Sequence, residues 1–125
     1  MWDGELDSLA LAWYSVKYDF VGTQDVEHSP MHSMTPQGSD EDTARFDRDK
    51  FINEQILTGT MEGLGYAAHA AQDEFSGGHG FKVYDGVVTP EHIVKDAFPT
   101  DYQFKHAKEA TRDLLRRSGK CGCKP

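Results

Sequence analysis

The sequence predicts an all-α fold, a single-domain bundle of about five helices joined by loops that carry the chemistry. Three observations support this. Apolar residues recur at intervals of three and four along residues 5–20, 44–57 and 104–115, the period of a helix with one buried stripe. Helix-start signals stand ahead of three segments, at Ser39, Thr89 and Thr100. Strand character is confined to residues 81–88, enough for one short hairpin at most. With 125 residues the chain can bury one core and is too short for two.

The first helix is expected over residues 5–20, with Leu6, Leu9, Ala10, Trp13, Val16 and Lys17 on one stripe. Residues 21–38 are rich in Gly, Pro, Ser, Thr and His and read as a loop. Ser39 is a good N-cap, and Asp40, Glu41 and Asp42 place negative charge where the helix dipole favours it. Ala44, Phe51, Ile52, Ile56 and Leu57 then mark a second helix ending near Gly59. Residues 61–75 form a third, with few polar side chains before Gln72, which assigns it to the centre of the bundle. Gly77, Gly78 and Gly80 end it. Thr89-Pro90-Glu91 starts a short helix to about Phe98, stopped by Pro99. Thr100-Asp101 opens the last, with Phe104, Ala107, Ala110, Leu114 and Leu115 on one face. The domain is expected over residues 1–118, with 119–125 a frayed tail whose Cys121 and Cys123 are too close in sequence for a structural disulfide.

Charge narrows the function. Twenty-one acidic residues against 13 basic ones leave a net charge of −8, which argues against nucleic-acid binding by bulk positive charge. A metal site would bring its own positive charge. No apolar run approaches the roughly 18 residues of a membrane-spanning helix, so no integral membrane segment is expected. The N-terminus lacks the basic-then-apolar order of a signal peptide.

The chemistry is concentrated in the histidines. His69-Ala-Ala-Gln-Asp73 puts an imidazole and a carboxylate on one face of a helix, at i and i+4. His79 follows just past the glycines that let the chain turn back. Ala67, Ala68, Ala70 and Ala71 flank His69 and allow close approach of a neighbouring helix or a substrate. His92-Ile-Val-Lys-Asp96 repeats the spacing, and the loop His28-Ser-Pro-Met-His32-Ser-Met carries two more histidines. Taken singly, the first pair reads better as a hydrogen-bonded His–Asp pair and the second as a surface helix, while the loop reads equally as a solvated linker. Taken together, His32, His69, Asp73, His79, His92 and Asp96 form an imidazole–carboxylate set that suits zinc, suits calcium or magnesium less well, and excludes an iron–sulfur centre. His106, beside Lys105 and near Lys108, is expected on the surface.

The spacing His-x3-Asp-x5-His at His69, Asp73 and His79 resembles the zinc-dependent phospholipase C family, a helical fold that also includes single-strand-specific zinc nucleases. The run Leu64-Gly-Tyr-Ala-Ala-His-Ala-Ala-Gln-Asp-Glu-Phe-Ser-Gly-Gly-His-Gly-Phe looks still more like short relatives that form the C-terminal toxin tips of Rhs-repeat proteins. In those, a His-Ser-Met segment precedes the helix, here His32-Ser33-Met34, and a His-x3-Asp follows, here His92 to Asp96. The resemblance covers residues 28–115, most of the chain.

It implies that His32, His69 and Asp73 hold one zinc and that His79, His92 and Asp96 hold a second, with Asp96 where the family usually has glutamate. A third metal in the larger enzymes uses the free amine of a leading Trp. Trp2 here follows Met1, so that site would need the loss of Met1 or a contribution from His28. An upstream aspartate, Asp19 or Asp25, would orient or deprotonate the attacking water. Phe75, Phe81 and Tyr84 would meet acyl chains of a lipid substrate or else pack in the core.

The expected function is then a zinc-dependent phosphodiesterase of phospholipase C type, an antibacterial toxin domain acting on phospholipid. As such it would be delivered into a target cell by a parent Rhs-repeat protein and neutralised by an immunity protein. The alternatives are a zinc nuclease of the same fold and a helical binding module with structural zinc.

Overall fold

The chain is built around its least polar helix. A computed structural model describes residues 4–17, 26–76, 79–86, 90 and 100–119. Its elements are α1 (Gly4–Lys17), a 3₁₀ turn (Val26–His32), β1 (Thr35–Pro36), α2 (Glu41–Leu57), α3 (Met61–Asp73), β2 (Val83–Tyr84) and α4 (Asp101–Arg117). The fold is the expected all-α bundle. Among the described residues, no helix is long and apolar enough to cross a membrane.

Helix α3 is central because its side chains are small. Thr60 caps it, accepting from the Gly63 amide, and Gly63, Gly65, Ala67, Ala68, Ala70 and Ala71 are all buried. With so little side-chain volume between backbones, α1, α2 and α4 all pack directly on it. Leu11, Phe51, Ile52, Leu64 and Leu114 fill the spaces between the helices. Helix α1 comes close at Gly65, where the place of a Cβ is taken by Tyr14 Cβ and the Tyr14–Ser15 backbone.

That contact decides which face of α1 is buried, and it is not the expected stripe. Leu9 and Trp13 are 68% and 61% exposed, whereas Leu11 is buried and Tyr14 and Ser15 lie against Gly65. Two other expectations shift by a residue or two. Asp40 rather than Ser39 caps α2, because its carboxylate accepts from both the Thr43 amide (2.8 Å) and the Thr43 hydroxyl (3.0 Å). Helix α3 stops at Asp73, not Phe75.

Helix α4 starts as expected, with a capping box between Thr100 and Gln103. Leu114 is buried on its inner face, but Phe104 is 61% exposed and does not join that face. The strand character near residue 83 is used differently from a hairpin. β2 pairs in parallel with β1, Thr35 opposite Val83 and Pro36 opposite Tyr84, so a segment expected to be irregular loop supplies the partner. Apart from Pro90, the short helix expected over residues 90–98 falls outside the described residues, as does the tail from residue 120.

Candidate metal centre

The site forms where the last turns of α3 meet the end of the 3₁₀ turn. His69 and Asp73 project from one face of α3, as their i, i+4 spacing requires. His32 is the last residue of the 3₁₀ turn, and the chain around it is clamped on two sides. Ser33 Oγ donates to the Ala70 carbonyl at 2.5 Å, and the Phe81 amide donates to the Ser33 carbonyl at 2.6 Å. Thr35 adds two bonds to the segment just before β2, its amide to the Lys82 carbonyl (2.9 Å) and its hydroxyl to the Phe81 carbonyl (2.7 Å). The clamp holds unfavourable backbone in place. Ser33 has φ +50° and Phe81 φ +60°, left-handed values that side chains larger than Gly rarely adopt and that persist only where surrounding contacts over-determine them.

Behind the clamp lies a charged brace. Arg48, only 9% exposed, donates to Glu74 at 3.2 Å and to Ser33 Oγ at 3.4 Å. Arg45 donates to the other Glu74 oxygen at 3.0 Å, and both guanidinium groups lie over the Phe81 ring, at 4.1 and 5.0 Å. The brace thus ties α2 to the residue following Asp73 and to the residue following His32. Residue type alone marks none of Ser33, Arg45, Arg48 or Glu74 for this role. A signal was present in α2, where Ala44, Arg48, Phe51 and Ile52 share the buried face. An arginine in an apolar stripe implies a buried anionic partner.

Four donor groups converge. His32 Nδ1 is 2.9 Å from His69 Nε2 and 3.3 Å from Asp73 Oδ2, and His69 Nε2 is 2.9 Å from the same oxygen. His79 Nε2 approaches that oxygen to 3.7 Å, while its Nδ1 lies 3.3 Å from Ser76 Oγ, a contact that orients the ring. All three imidazoles are buried. Ligands at roughly 2.0–2.1 Å from a tetrahedral zinc stand about 3.3 Å apart, so the triangle of His32, His69 and Asp73 atoms is slightly smaller than the one such an ion needs. The donor chemistry, imidazole nitrogen with carboxylate oxygen, is what zinc selects. The residues therefore fit the metal. His79 also groups with His32 and Asp73, their donor atoms all within 4.8 Å of one another. It thus faces the same carboxylate as the first set rather than standing apart.

Burial alone pushes the Asp73 carboxyl up, but the charge of His69, hydrogen bonds from His32 and His69, and the nearby His79 outweigh it and hold it well below the usual carboxylate range. A carboxyl depressed on folding contributes stability that is present above its unfolded pKa and is lost as pH falls below about 4. In metal-free protein, Asp73→Asn should flatten the decline in stability over that acid range. Denaturant midpoints at successive pH values would show it, and an unchanged slope would mean the carboxylate is not held by the imidazoles.

Other expected site residues are placed as follows. His28 is half-buried on the 3₁₀ turn and lies outside the His32–Asp73–His79 group. Phe81 and Tyr84 are 5% and 6% exposed, so both rings are packed inside rather than open to acyl chains. Phe75 is half-buried and stacks on His106 at 5.6 Å; His106, expected on the surface, is itself half-buried. Trp2, Asp19, Asp25, His92, Asp96, Cys121 and Cys123 fall outside the described residues, and with them most of the second ligand set.

Fold and site together define a small all-α bundle with a buried three-histidine, one-carboxylate cluster at the end of its central helix. Comparison with protein-family models, with curated proteins and with solved structures returns no match.

Proposed function

We propose that the chain is a zinc-dependent phosphodiesterase of phospholipase C type. The observation that supports it best is the convergence of His32 Nδ1, His69 Nε2 and Asp73 Oδ2 within 2.9–3.3 Å of one another in a buried, braced setting. Those three residues would hold one zinc, and His79 would contribute to a second with His92 and Asp96. Zinc bound there supplies a Lewis acid for phosphoryl oxygens and a water acidified towards neutrality. The chain's own residues fix the donors in place, exclude bulk water from the imidazoles, and keep Asp73 ionised. A net charge of −8 favours phospholipid over nucleic acid as the substrate class. Delivery as an Rhs-associated toxin with an immunity partner rests on the resemblance described above.

A second reading has its own observation. Because His79 faces the same Asp73 oxygen as His32 and His69, all four groups could saturate one ion and leave no open position, as in a structural zinc site.

The test is elemental analysis of protein purified without a metal-affinity tag, followed by chelation, zinc restoration, and assays on phosphatidylcholine and single-stranded DNA. About two zinc ions per chain and lipid hydrolysis that is lost on chelation and restored by zinc are expected. One tightly held zinc with no hydrolysis would favour the structural site. No zinc uptake would overturn both readings.

A further inference from the structure

The charge of this chain is unevenly used. Lys17 pairs with Glu62 at 3.6 Å, Lys50 with Glu54 at 3.9 Å, Arg116 with Asp113 at 3.4 Å, and Arg45 and Arg48 with Glu74 at 3.0 and 3.2 Å. On α4, by contrast, Lys105, Lys108 and Arg112 have no ion-pair partner among the described residues, in a molecule with an excess of eight negative charges. Lys108 and Arg112 stand at i and i+4, a like-charge pair that costs an isolated helix some stability. Such an arrangement calls for an anion.

The three cations border a recess. A cleft of about 560 Å³ lies between α3 and α4, lined by Gln72 of α3 and, on α4, by the apolar Phe104, Ala107 and Leu115, by Thr111, and by the cations Lys108 and Arg112. A smaller cleft of about 250 Å³ adjoins it, bordered by Phe104, Lys105, Lys108, Glu109 and Arg112. Glu109, the one acid on that rim, lies 3.6 Å from His106. Phe104 is 61% exposed and forms an apolar surface shared by both clefts. An apolar recess beside these cations is complementary to an amphiphile with an anionic head, and the excess of eight negative charges over the whole molecule disfavours a polyanion such as a nucleic acid.

We propose that this α3–α4 cleft docks an anionic phospholipid at a bilayer surface, with the chain portion against Phe104, Ala107 and Leu115 and the phosphate between Lys108 and Arg112. The inference rests on the phosphodiesterase reading for the use made of the docked lipid, but docking is measured without turnover.

The experiment is co-sedimentation of the full chain with vesicles of phosphatidylcholine alone or with added phosphatidylglycerol, at low and physiological salt, repeated with His69→Ala. Partitioning should favour the phosphatidylglycerol vesicles and weaken with salt. Paired Lys108→Glu and Arg112→Glu should reduce it at least about tenfold, since each cation near an anionic surface contributes about fivefold. Phe104→Ser should lower partitioning on its own. Lys50→Glu, on a different helix, should leave it unchanged.

Equal partitioning to both vesicle types would overturn the inference, as would equal losses with Lys50→Glu. So would retention of vesicle binding in the double reversal while binding to a single-stranded oligonucleotide is lost. Vesicle binding with no hydrolysis would instead count against the phosphodiesterase reading alone, and hydrolysis of a soluble short-chain phosphodiester without vesicle binding against the cleft alone.

Discussion

His69→Ala is expected to strip zinc from the first site and to lower phosphodiester hydrolysis by more than about 100-fold, while leaving the helical fold in place. The magnitude follows from position. Removing groups that merely orient a ligand costs about 10–100-fold in metal affinity or activity, and His69 Nε2 is itself one of the converging donor atoms, 2.9 Å from both His32 Nδ1 and Asp73 Oδ2. Folding should survive for three reasons. Alanine is the best helix former, the position already lies in a run of alanines, and the Asp73 carboxylate keeps His32 at 3.3 Å and His79 at 3.7 Å as partners. Zinc content per chain, initial rate and far-UV circular dichroism are the measurements. Wild-type turnover in the variant would remove His69 from the site. Loss of the helical signal would mean that the histidine is chiefly structural.

How much of this was legible depended on whether the information was local. His69 and Asp73 sit four apart on one helix, so the sequence places them together without help. Thr100 announces its helix because a cap bonds to an amide only three residues on, whereas the same bond from Thr60 at the start of α3 is not among the helix-start signals read from the sequence. At α2 the expected cap, Ser39, gives way to Asp40, expected in the first turn, because Asp40 accepts two bonds from Thr43. The face of α1 could not be read from period alone. Leu9 with Trp13, and Leu11 with Tyr14 and Ser15, both follow helical spacing, and the choice was made by the close approach of α1 to Gly65. The β1–β2 pairing is two residues on each side and joins positions 35–36 to 83–84, too short and too distant for any alternation to show.

The site divides along the same line. Its α3 half is a local motif, whereas bringing His32 to it requires left-handed backbone at Ser33 and Phe81, residues whose identity gives no hint of positive φ. It also requires Arg48 to reach from α2 to both Ser33 and Glu74. These are tertiary facts. They nevertheless decide whether imidazole and carboxylate meet, because a donor displaced by an ångström no longer shares an ion with the others.

The stability counterpart concerns the α1–α3 contact. Gly65→Ala should destabilise the protein, although alanine at an exposed helix position would stabilise it by about 1 kcal/mol. The added Cβ would fall within van der Waals exclusion of Tyr14 Cβ and lie 3.0 Å from both the Ser15 nitrogen and the Tyr14 carbonyl carbon. The obstruction is a Cβ fixed to the main chain, backed by two backbone atoms, and none of these can rotate out of the way, so the two helices must separate. Overpacking of this kind costs about 1–3 kcal/mol, and a loss of that size lowers the melting temperature of a 125-residue domain by roughly 4 °C per kcal/mol. Trimming Tyr14 should not relieve it. Tyr14→Ala retains both the Cβ and the backbone that obstruct, so the double variant should melt no higher than Gly65→Ala alone. Thermal unfolding of the two single variants and the double variant, compared as a cycle, makes the test. A raised melting temperature in Gly65→Ala would show that α1 and α3 stand farther apart than this packing requires, and recovery in the double variant would place the obstruction in the tyrosine ring rather than in the main chain.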